Sequence, residues 1–385
     1  MKKALLFRFG GIGDIAPVMV ASQQLKKRGW HVTLALRDDG GAIKQSDLLK
    51  NTNICDEILD LKQIGPWGTR CIKYKDGWKS IDSVYDDYDN VVDFMFVTEG
   101  NSTCRTNFVK KPTDVWKITR NSNWINWYDQ HLAWVGIDPS SVPNEEKRPT
   151  FLLSKEERKE AKKLRKGYSK LFAIHPVASS MARTWYQAKE LLPMLHDKYK
   201  GCLIACWDPS KNDWDFVIPE GRFPVKIKAD SPLRRSMIVL GACDLFIGVD
   251  TGFTHIAEGM GVEHIAIYST VPGWTRAKYY KHQTIIDPGI KHPEYYNFAI
   301  QSGDPLRIED GENALTERER LVKDLYDRQA PLEEVTKELN CDAHGAQLEI
   351  EILLKKQESW DRQQSKALSD VSAEMVMEKT KELIK

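Results

Sequence analysis

The stretch that most constrains the fold is DLFIGVDTGFTHIAEGMGVEHIAIYST, residues 244–270. Its first apolar run predicts a buried strand that stops at Asp250-Thr251-Gly252, and its spacing predicts a helix over 253–260. A second apolar run, residues 264–268, predicts another strand. Strand, polar turn, helix and strand form a βαβ unit, and open α/β sheets bind ligands at such strand-to-helix turns.

Thr251 and Gly252 would lie at the start of that helix, where unpaired N–H groups and the helix dipole attract phosphate. His255, one turn further on, is a candidate for the same role, although a lone histidine is more often structural. We therefore predict a nucleotide or phosphate site at Asp250, Thr251, Gly252 and His255.

A second βαβ unit opens the chain. Residues 2–9 predict a strand, residues 15–28 a helix and residues 31–36 the next strand, and the first turn contains Gly10, Gly11 and Gly13. The turn fits G-x-G-x-x-A, a loose dinucleotide-binding pattern, but the glycines are equally suited to a tight turn alone. Asp14 would repel a pyrophosphate here, which favours proton acceptance or helix capping by this carboxylate.

The loop after the predicted strand 171–175 carries two hydroxyls and a cation, Ser179, Ser180 and Arg183, before Trp185. Arg183 could neutralise a diphosphate, and the serines could add hydrogen bonds. Alternatively this is a loop with a surface arginine and a packing tryptophan. Two acidic pairs, Asp213/Asp215 and Asp87/Asp89, match a D-x-D metal pattern and are interpreted as solvated acids, so no metal site is expected.

At 385 residues the chain exceeds one ordinary core, and residues 138–150 carry the strongest linker signal. We expect an α/β fold with two facing Rossmann-like, doubly wound domains at 1–145 and 146–305, followed by a helical tail at 306–385. Seven scattered cysteines suggest reduced thiols, and no apolar run is long enough for a transmembrane segment, so a cytoplasmic protein is expected. A formal net charge of +1 gives no strong field for nucleic acid.

Taken together, these segments resemble the heptosyltransferase-type glycosyltransferases (the ADP-heptose:lipopolysaccharide heptosyltransferase family) of the GT-B fold. The D-T-G-x-x-H-x-A motif at 250–257 is intact and is the most specific part of the likeness. The remaining support comes from Arg8, Gly10, Gly13 and Asp14 in the first turn, from the 171–185 loop, and from Tyr268, Thr270 and Pro272.

The resemblance implies inverting, metal-independent transfer of a sugar from a nucleotide diphosphate donor, with an ADP-sugar as one candidate, to an acceptor hydroxyl, and no cofactor. Asp14 falls at the family's general base, and Thr251, Gly252 and His255 match its phosphate-contacting turn. Arg183 stands where the family usually has lysine, which keeps the charge and changes the geometry. The resemblance implies a cell-surface saccharide as acceptor, bound by the first domain.

Three alternatives remain open at this stage. The spacing at 315–339 is that of a helix-turn-helix, so DNA with modified bases is a second acceptor class. The alternative for this segment is a helical hairpin that packs on the core. The first glycine turn leaves open an NADP-dependent oxidoreductase. A non-catalytic sugar-nucleotide binding protein is the third.

Overall fold

The structure is a computed structural model. It describes the residues 1–8, 11–37, 44–63, 70–74, 77–94, 126–178, 183–208, 225–228, 232–268, 273–287, 317–343, 345–347, 349–350, 368 and 371–384.

The first unit is built on a six-stranded sheet with the order β5-β4-β3-β2-β1-β6. Its strands are β1 (Lys3–Arg8), β2 (His31–Leu36), β3 (Glu57–Gln63), β4 (Arg70–Tyr74), β5 (Gly77–Ser80) and β6 (Asn90–Asp93). The strands from β3 to β6 along the sheet are parallel, whereas β4 and β5 form an antiparallel hairpin on β3. Because β1 pairs with β2 on one side and with β6 on the other, the chain reverses its direction of winding between β1 and β6.

The second unit contains a six-stranded, fully parallel sheet with the order β12-β11-β10-β7-β8-β9. Its strands are β7 (Leu171–His175), β8 (Leu203–Asp208), β9 (Val225–Lys228), β10 (Leu245–Val249), β11 (His264–Ile267) and β12 (Gln283–Ile286). Here the winding reverses between β7 and β10. In such sheets ligands bind beyond the carboxyl ends of the strands at this switch point.

Helices cover both sheets and form the tail of the chain. In chain order they are α1 (Ile12–Lys27), α2 (Trp127–Trp134), α3 (Lys155–Arg165), α4 (Ala188–Lys198), α5 (Leu233–Ala242), α6 (Gly252–Met260), α7 (Gly273–Ala277), α8 (Glu317–Asp327), α9 (Leu332–Leu339) and α10 (Ala373–Leu383). None of the described helices is long and apolar enough to cross a membrane.

The two units share one apolar core. Helix α1 is buried on more than one face, because it lies between its own sheet and helix α6 of the other unit. The cluster that contains Val18 and Met19 of α1 continues into Met237 of α5 and Ile256 of α6. The units therefore meet over hydrophobic side chains, and their closed arrangement is stabilised by burial of apolar surface.

The tail divides between two structural roles. Helices α8 and α9 enclose a small apolar cluster of their own, formed by Val322, Leu325, Val335, Leu339 and Ala346. Helix α10 instead packs on α4 and β11, and Val376 and Met377 complete the core of the second unit. The Nε1 of the fully buried Trp185 donates to the carbonyl of Val371 just before α10.

The predicted architecture of two facing Rossmann-like units with a helical tail is confirmed. The predicted strands at 31–36 and 171–175 have the observed bounds, whereas α1 begins earlier than predicted, at Ile12. The β4–β5 hairpin and β9 were not predicted. The proposed domain limits at 145 and 305 stay predictions.

Candidate active site

The start of helix α6 lies at the switch point of the second sheet. Thr251 is the residue that precedes the helix, in an extended conformation, and its buried Oγ1 has no hydrogen-bond partner among the described residues. The next threonine differs, because the Thr254 Oγ1 donates to the carbonyl of Val249 at 2.8 Å. The hydroxyl of Thr251 is therefore available to a ligand, together with the first N–H groups of the helix.

Arg183 reaches this turn from the loop after β7. Its Nη1 lies 3.7 Å from Oδ2 of the buried Asp250. The loops after β7 and β10 are thus joined by an ion pair at the switch point. The sequence predicted both residues for donor binding, and the structure brings them together beside Thr251.

The start of helix α1 lies at the switch point of the first sheet. Asp14 Oδ2 accepts from the backbone N–H of Gly11 at 2.6 Å, and Asp14 Oδ1 pairs with Arg8 Nη2 at 2.9 Å. Arg8 is itself buried and donates to the carbonyl of Phe94, at the end of the β6 segment. The carboxylate both caps α1 and pairs with a cation.

The environment of Asp14 keeps its carboxyl group ionised. Burial raises its pKa, but the Arg8 guanidinium and the hydrogen bond from Gly11 outweigh burial and hold the pKa below the ordinary aspartate value. The carboxylate also occupies the N–H of Gly11 and would repel a pyrophosphate at this turn. The first glycine turn is therefore unsuited to a dinucleotide.

The two helix starts face each other across the interface between the units. A Cβ on Gly252 would lie 2.7 Å from Ile12 Cβ and 2.9 Å from the backbone nitrogen of Gly13. A Cβ on Gly13 would lie 3.1 Å from His255 Cδ2. The absence of side chains at Gly13 and Gly252 therefore allows the two units to approach each other.

His255 is tied to the other unit by a chain of hydrogen bonds. Its Nδ1 is bonded to the hydroxyl of Tyr280, which is bonded in turn to the hydroxyl of Tyr128 on α2. Burial lowers the pKa of His255 to about 4, so the imidazole is neutral near pH 7. A neutral imidazole at this point can exchange hydrogen bonds but supplies no charge.

Arg276 is a central cation that the sequence reasoning missed. It belongs to the short helix α7, and its Cζ lies 3.8 Å from the ring centroid of Trp127 on α2. Burial lowers the pKa of its guanidinium, while the carboxylates of Asp250 and Asp14 raise it. The only sequence signal was an arginine shortly after the carboxyl end of β11, next to the motif strand β10.

Several predicted residues lie outside the described residues: Gly10, Ser179, Ser180, Thr270, Pro272 and the Asp213/Asp215 pair. Tyr268 is fully buried, and its hydroxyl accepts from Gln283, which indicates a packing role. Asp89 accepts from the backbone N–H of Lys3 at the edge of the sheet, and Asp87 is exposed, in agreement with solvated acids. Within the described parts of the chain, no three His, Cys, Asp or Glu side chains cluster to hold a metal ion.

The geometry defines a candidate site between two Rossmann-like units, with a carboxylate on one side of the interface and a turn open to a ligand on the other. Residues 133–297 match the model of glycosyltransferase family 9 (heptosyltransferase). A sequence search of curated proteins finds no match.

Solved structures share the fold. One is a glycosyltransferase family 9 protein from Veillonella parvula, with 13% identity, a TM-score of 0.50, and coverage of 81% of this chain and 96% of that one. Another is the Escherichia coli ADP-heptose lipopolysaccharide heptosyltransferase II, with 12% identity, a TM-score of 0.52, and coverage of 76% and 92%.

These findings confirm the resemblance to heptosyltransferase-type enzymes, and the chain is a glycosyltransferase that depends on a nucleotide sugar. The oxidoreductase alternative and the non-catalytic alternative receive no support. DNA as acceptor is likewise unsupported, and helix α9 carries three glutamates against one lysine, a poor surface for phosphates.

Proposed function

We propose that this glycosyltransferase moves a sugar, with inversion and without a metal ion, from a nucleoside diphosphate sugar to a hydroxyl of a saccharide. The observation that carries the proposal is that the helix start with the Asp14 carboxylate faces the open Thr251-Gly252 turn across the interface of the units.

The donor diphosphate is proposed to lie at the start of α6. There the hydroxyl of Thr251 and the first N–H groups of the helix would donate to its oxygens, and Arg183 would neutralise part of its charge. Ser179 and Ser180 are proposed as further donors in the loop after β7. Arginine and helix N–H groups offer the charge stabilisation that a metal ion supplies in other transferases, which supports a metal-independent reaction.

Asp14 is proposed as the general base. As the acceptor oxygen bonds to the anomeric carbon, its proton passes to the carboxylate, and the bond to the diphosphate breaks with its electron pair leaving on the phosphate oxygen. Attack from the side opposite the leaving group inverts the anomeric centre. A carboxylate on the first unit and a diphosphate on the second suit this geometry.

ADP-heptose is the first candidate for the donor, because the Escherichia coli structural relative is named for it. The acceptor is proposed to be a cell-surface saccharide, bound by the first unit beside Gly11 and Gly13. The scattered cysteines support a cytoplasmic location, where thiols stay reduced.

The proposal is tested by thermal unfolding of the wild-type protein with ADP-, UDP-, GDP- and CMP-sugars and with NAD(H) and NADP(H). Stabilisation by one nucleoside diphosphate or its sugar is expected, and it identifies the base. Stabilisation by NADP(H) alone would contradict the proposal and would move the nucleotide site to the first glycine turn.

A further inference from the structure

The charges at the interface of the units do not balance within the described residues. Arg8 is paired with Asp14 and Arg183 with Asp250, whereas Arg276 has no ion-pair partner there. His255 adds no charge near pH 7, since burial lowers its pKa to about 4. Among the described residues, the Arg276 guanidinium is thus left without an ion-pair partner near two carboxylates that are already paired, which favours binding of an anion.

The guanidinium of Arg276 is oriented by an aromatic ring. With Cζ 3.8 Å from the centroid of Trp127, the cation covers the ring face. Such stacking fixes the plane of the guanidinium and leaves its N–H edge free for a forked contact with phosphate oxygens. The Trp127 side chain is mostly buried, so the stack is held on its far side by protein.

The two members of this stack come from different units. Trp127 begins helix α2, which packs on α1, whereas Arg276 follows β11 of the second sheet. The next residue, Tyr128, reaches across in the same way and bonds the Tyr280 hydroxyl that holds His255. The first turn of α2 therefore positions two side chains of the second unit when the units are closed.

We propose that Arg276 contacts the diphosphate of the donor and stabilises the charge that it gains as the sugar leaves, and that Trp127 is the positioning residue for this arginine. The assignment rests on the function proposed above and adds residues that the motif reasoning did not supply. Developing charge on a leaving group is where a fixed cation lowers the barrier most.

A structural role for Arg276 makes a different prediction. If the arginine only balanced Asp14 and Asp250, its replacement would lower stability and would weaken all nucleotides alike. If Arg276 contacts the diphosphate instead, its replacement should lower the affinity for a nucleoside diphosphate more than the affinity for the monophosphate. The comparison of a nucleoside diphosphate with its monophosphate therefore separates the two roles.

The test uses the full chain with Arg276→Met, Arg276→Lys and the control Lys278→Met, an exposed neighbour. Calorimetric titration with ADP, GDP and UDP identifies the nucleotide that the wild type binds, and its monophosphate is titrated beside it. For Arg276→Met we expect diphosphate affinity to fall by about tenfold or more, with little change for the monophosphate. Turnover of the matching nucleotide sugar, measured as diphosphate release, should fall by about 100-fold.

Trp127 is tested with Trp127→Leu and Trp127→Phe. Trp127→Leu removes the aromatic ring face, so it should lower kcat and the preference for the diphosphate over the monophosphate, as Arg276→Met does. Trp127→Phe keeps an aromatic ring and should retain most of both. Circular dichroism and thermal unfolding check that each variant is folded.

Equal losses for the diphosphate and the monophosphate, or wild-type kcat in folded Arg276→Met, would overturn the assignment and leave the proposed function intact. If the wild type binds none of the three nucleoside diphosphates, the proposed function fails and the Arg276 assignment fails with it.

Discussion

The two helix starts at the interface occupy equivalent places in their sheets, but one already holds a carboxylate and the other is open. Each follows a buried parallel strand at the switch point of its sheet, and each contains glycine. At α1, the Asp14 carboxylate already accepts from the N–H of Gly11 and pairs with Arg8. At α6, the Thr251 hydroxyl has no partner among the described residues. The same strand-turn-helix arrangement thus holds a carboxylate of the protein in one unit and is open to an external anion in the other.

The largest effect is expected from a substitution of Asp14, in the helix start that already holds a carboxylate. Asp14→Asn keeps the shape of the side chain but removes the proton acceptor, so turnover should fall by about 10²- to 10⁴-fold. Donor affinity should stay within a few-fold, because a base acts mainly in the transition state. Steady-state kinetics with titration calorimetry measures both. Asp56→Asn, which alters a carboxylate paired with Lys26 at the surface, is the control, and full turnover of Asp14→Asn would refute the assignment.

The start of α6, which is open to a ligand, is tested by substitutions of two threonines one turn apart. Thr251→Val removes a hydroxyl without a protein partner, so donor affinity should fall by roughly tenfold while the free energy of unfolding stays near that of the wild type. Thr254→Val removes a hydroxyl that bonds the carbonyl of Val249, so it should lower stability by about 1 kcal/mol. Urea unfolding and donor titration of both variants give the comparison. A stability loss in Thr251→Val would show that its hydroxyl serves the fold.

The approach of the two helix starts is tested by adding a methyl group. Gly252→Ala would place a Cβ 2.7 Å from Ile12 Cβ, so we expect a loss of about 1–3 kcal/mol in the free energy of unfolding. In Gly11→Ala the new Cβ would lie 3.7 Å from Asp14 Oδ2, an ordinary contact, and the loss should be much smaller. Denaturant unfolding separates the two. Equal losses would mean that closure does not depend on the Gly252 contact.

The smallest effect is a shift in pH dependence. In the wild type, Arg8 and the Gly11 N–H hold the pKa of Asp14 below its ordinary value, so the proposed base should stay ionised and activity should persist as pH falls through that value. Arg8→Met removes the cation that opposes the effect of burial on Asp14, so the pKa of Asp14 should rise. The acid limb of the kcat/KM profile should then move to higher pH. Arg8→Lys should restore the wild-type limb. An unmoved limb in folded Arg8→Met would show that another group controls it.

Much of the fold could be predicted from the sequence, because its central strands are continuous apolar runs. The runs at 31–36 and 171–175 match β2 and β7, and parallel strands that are covered on both faces read in this way. The β4–β5 hairpin was missed since its strands, RCIKY and GWKS, contain no continuous apolar run, their apolar residues being interrupted by charged or polar ones. Strand β9, VKIK, has the same weakness.

The site was predictable where it depends on local motifs. Asp14, Thr251 and Gly252 lie in strand-to-helix turns, whose chemistry can be inferred from neighbouring residues. Arg276 and Trp127 could not be found in this way, because their contact joins two units that are distant in sequence. The packing of Gly13 against His255 is hidden for the same reason.

The packing of α10 has a consequence for the order in which the protein matures. Val371, Val376 and Met377 fill the core of the second unit, yet they follow β12, the last strand of its sheet, far along the chain. The first sheet, complete by Asp93, can assemble while the rest of the chain is still being made. The second unit keeps an uncovered apolar face until α10 has been made. A chain that is interrupted before α10 therefore carries a finished first sheet beside a second unit whose core is still incomplete.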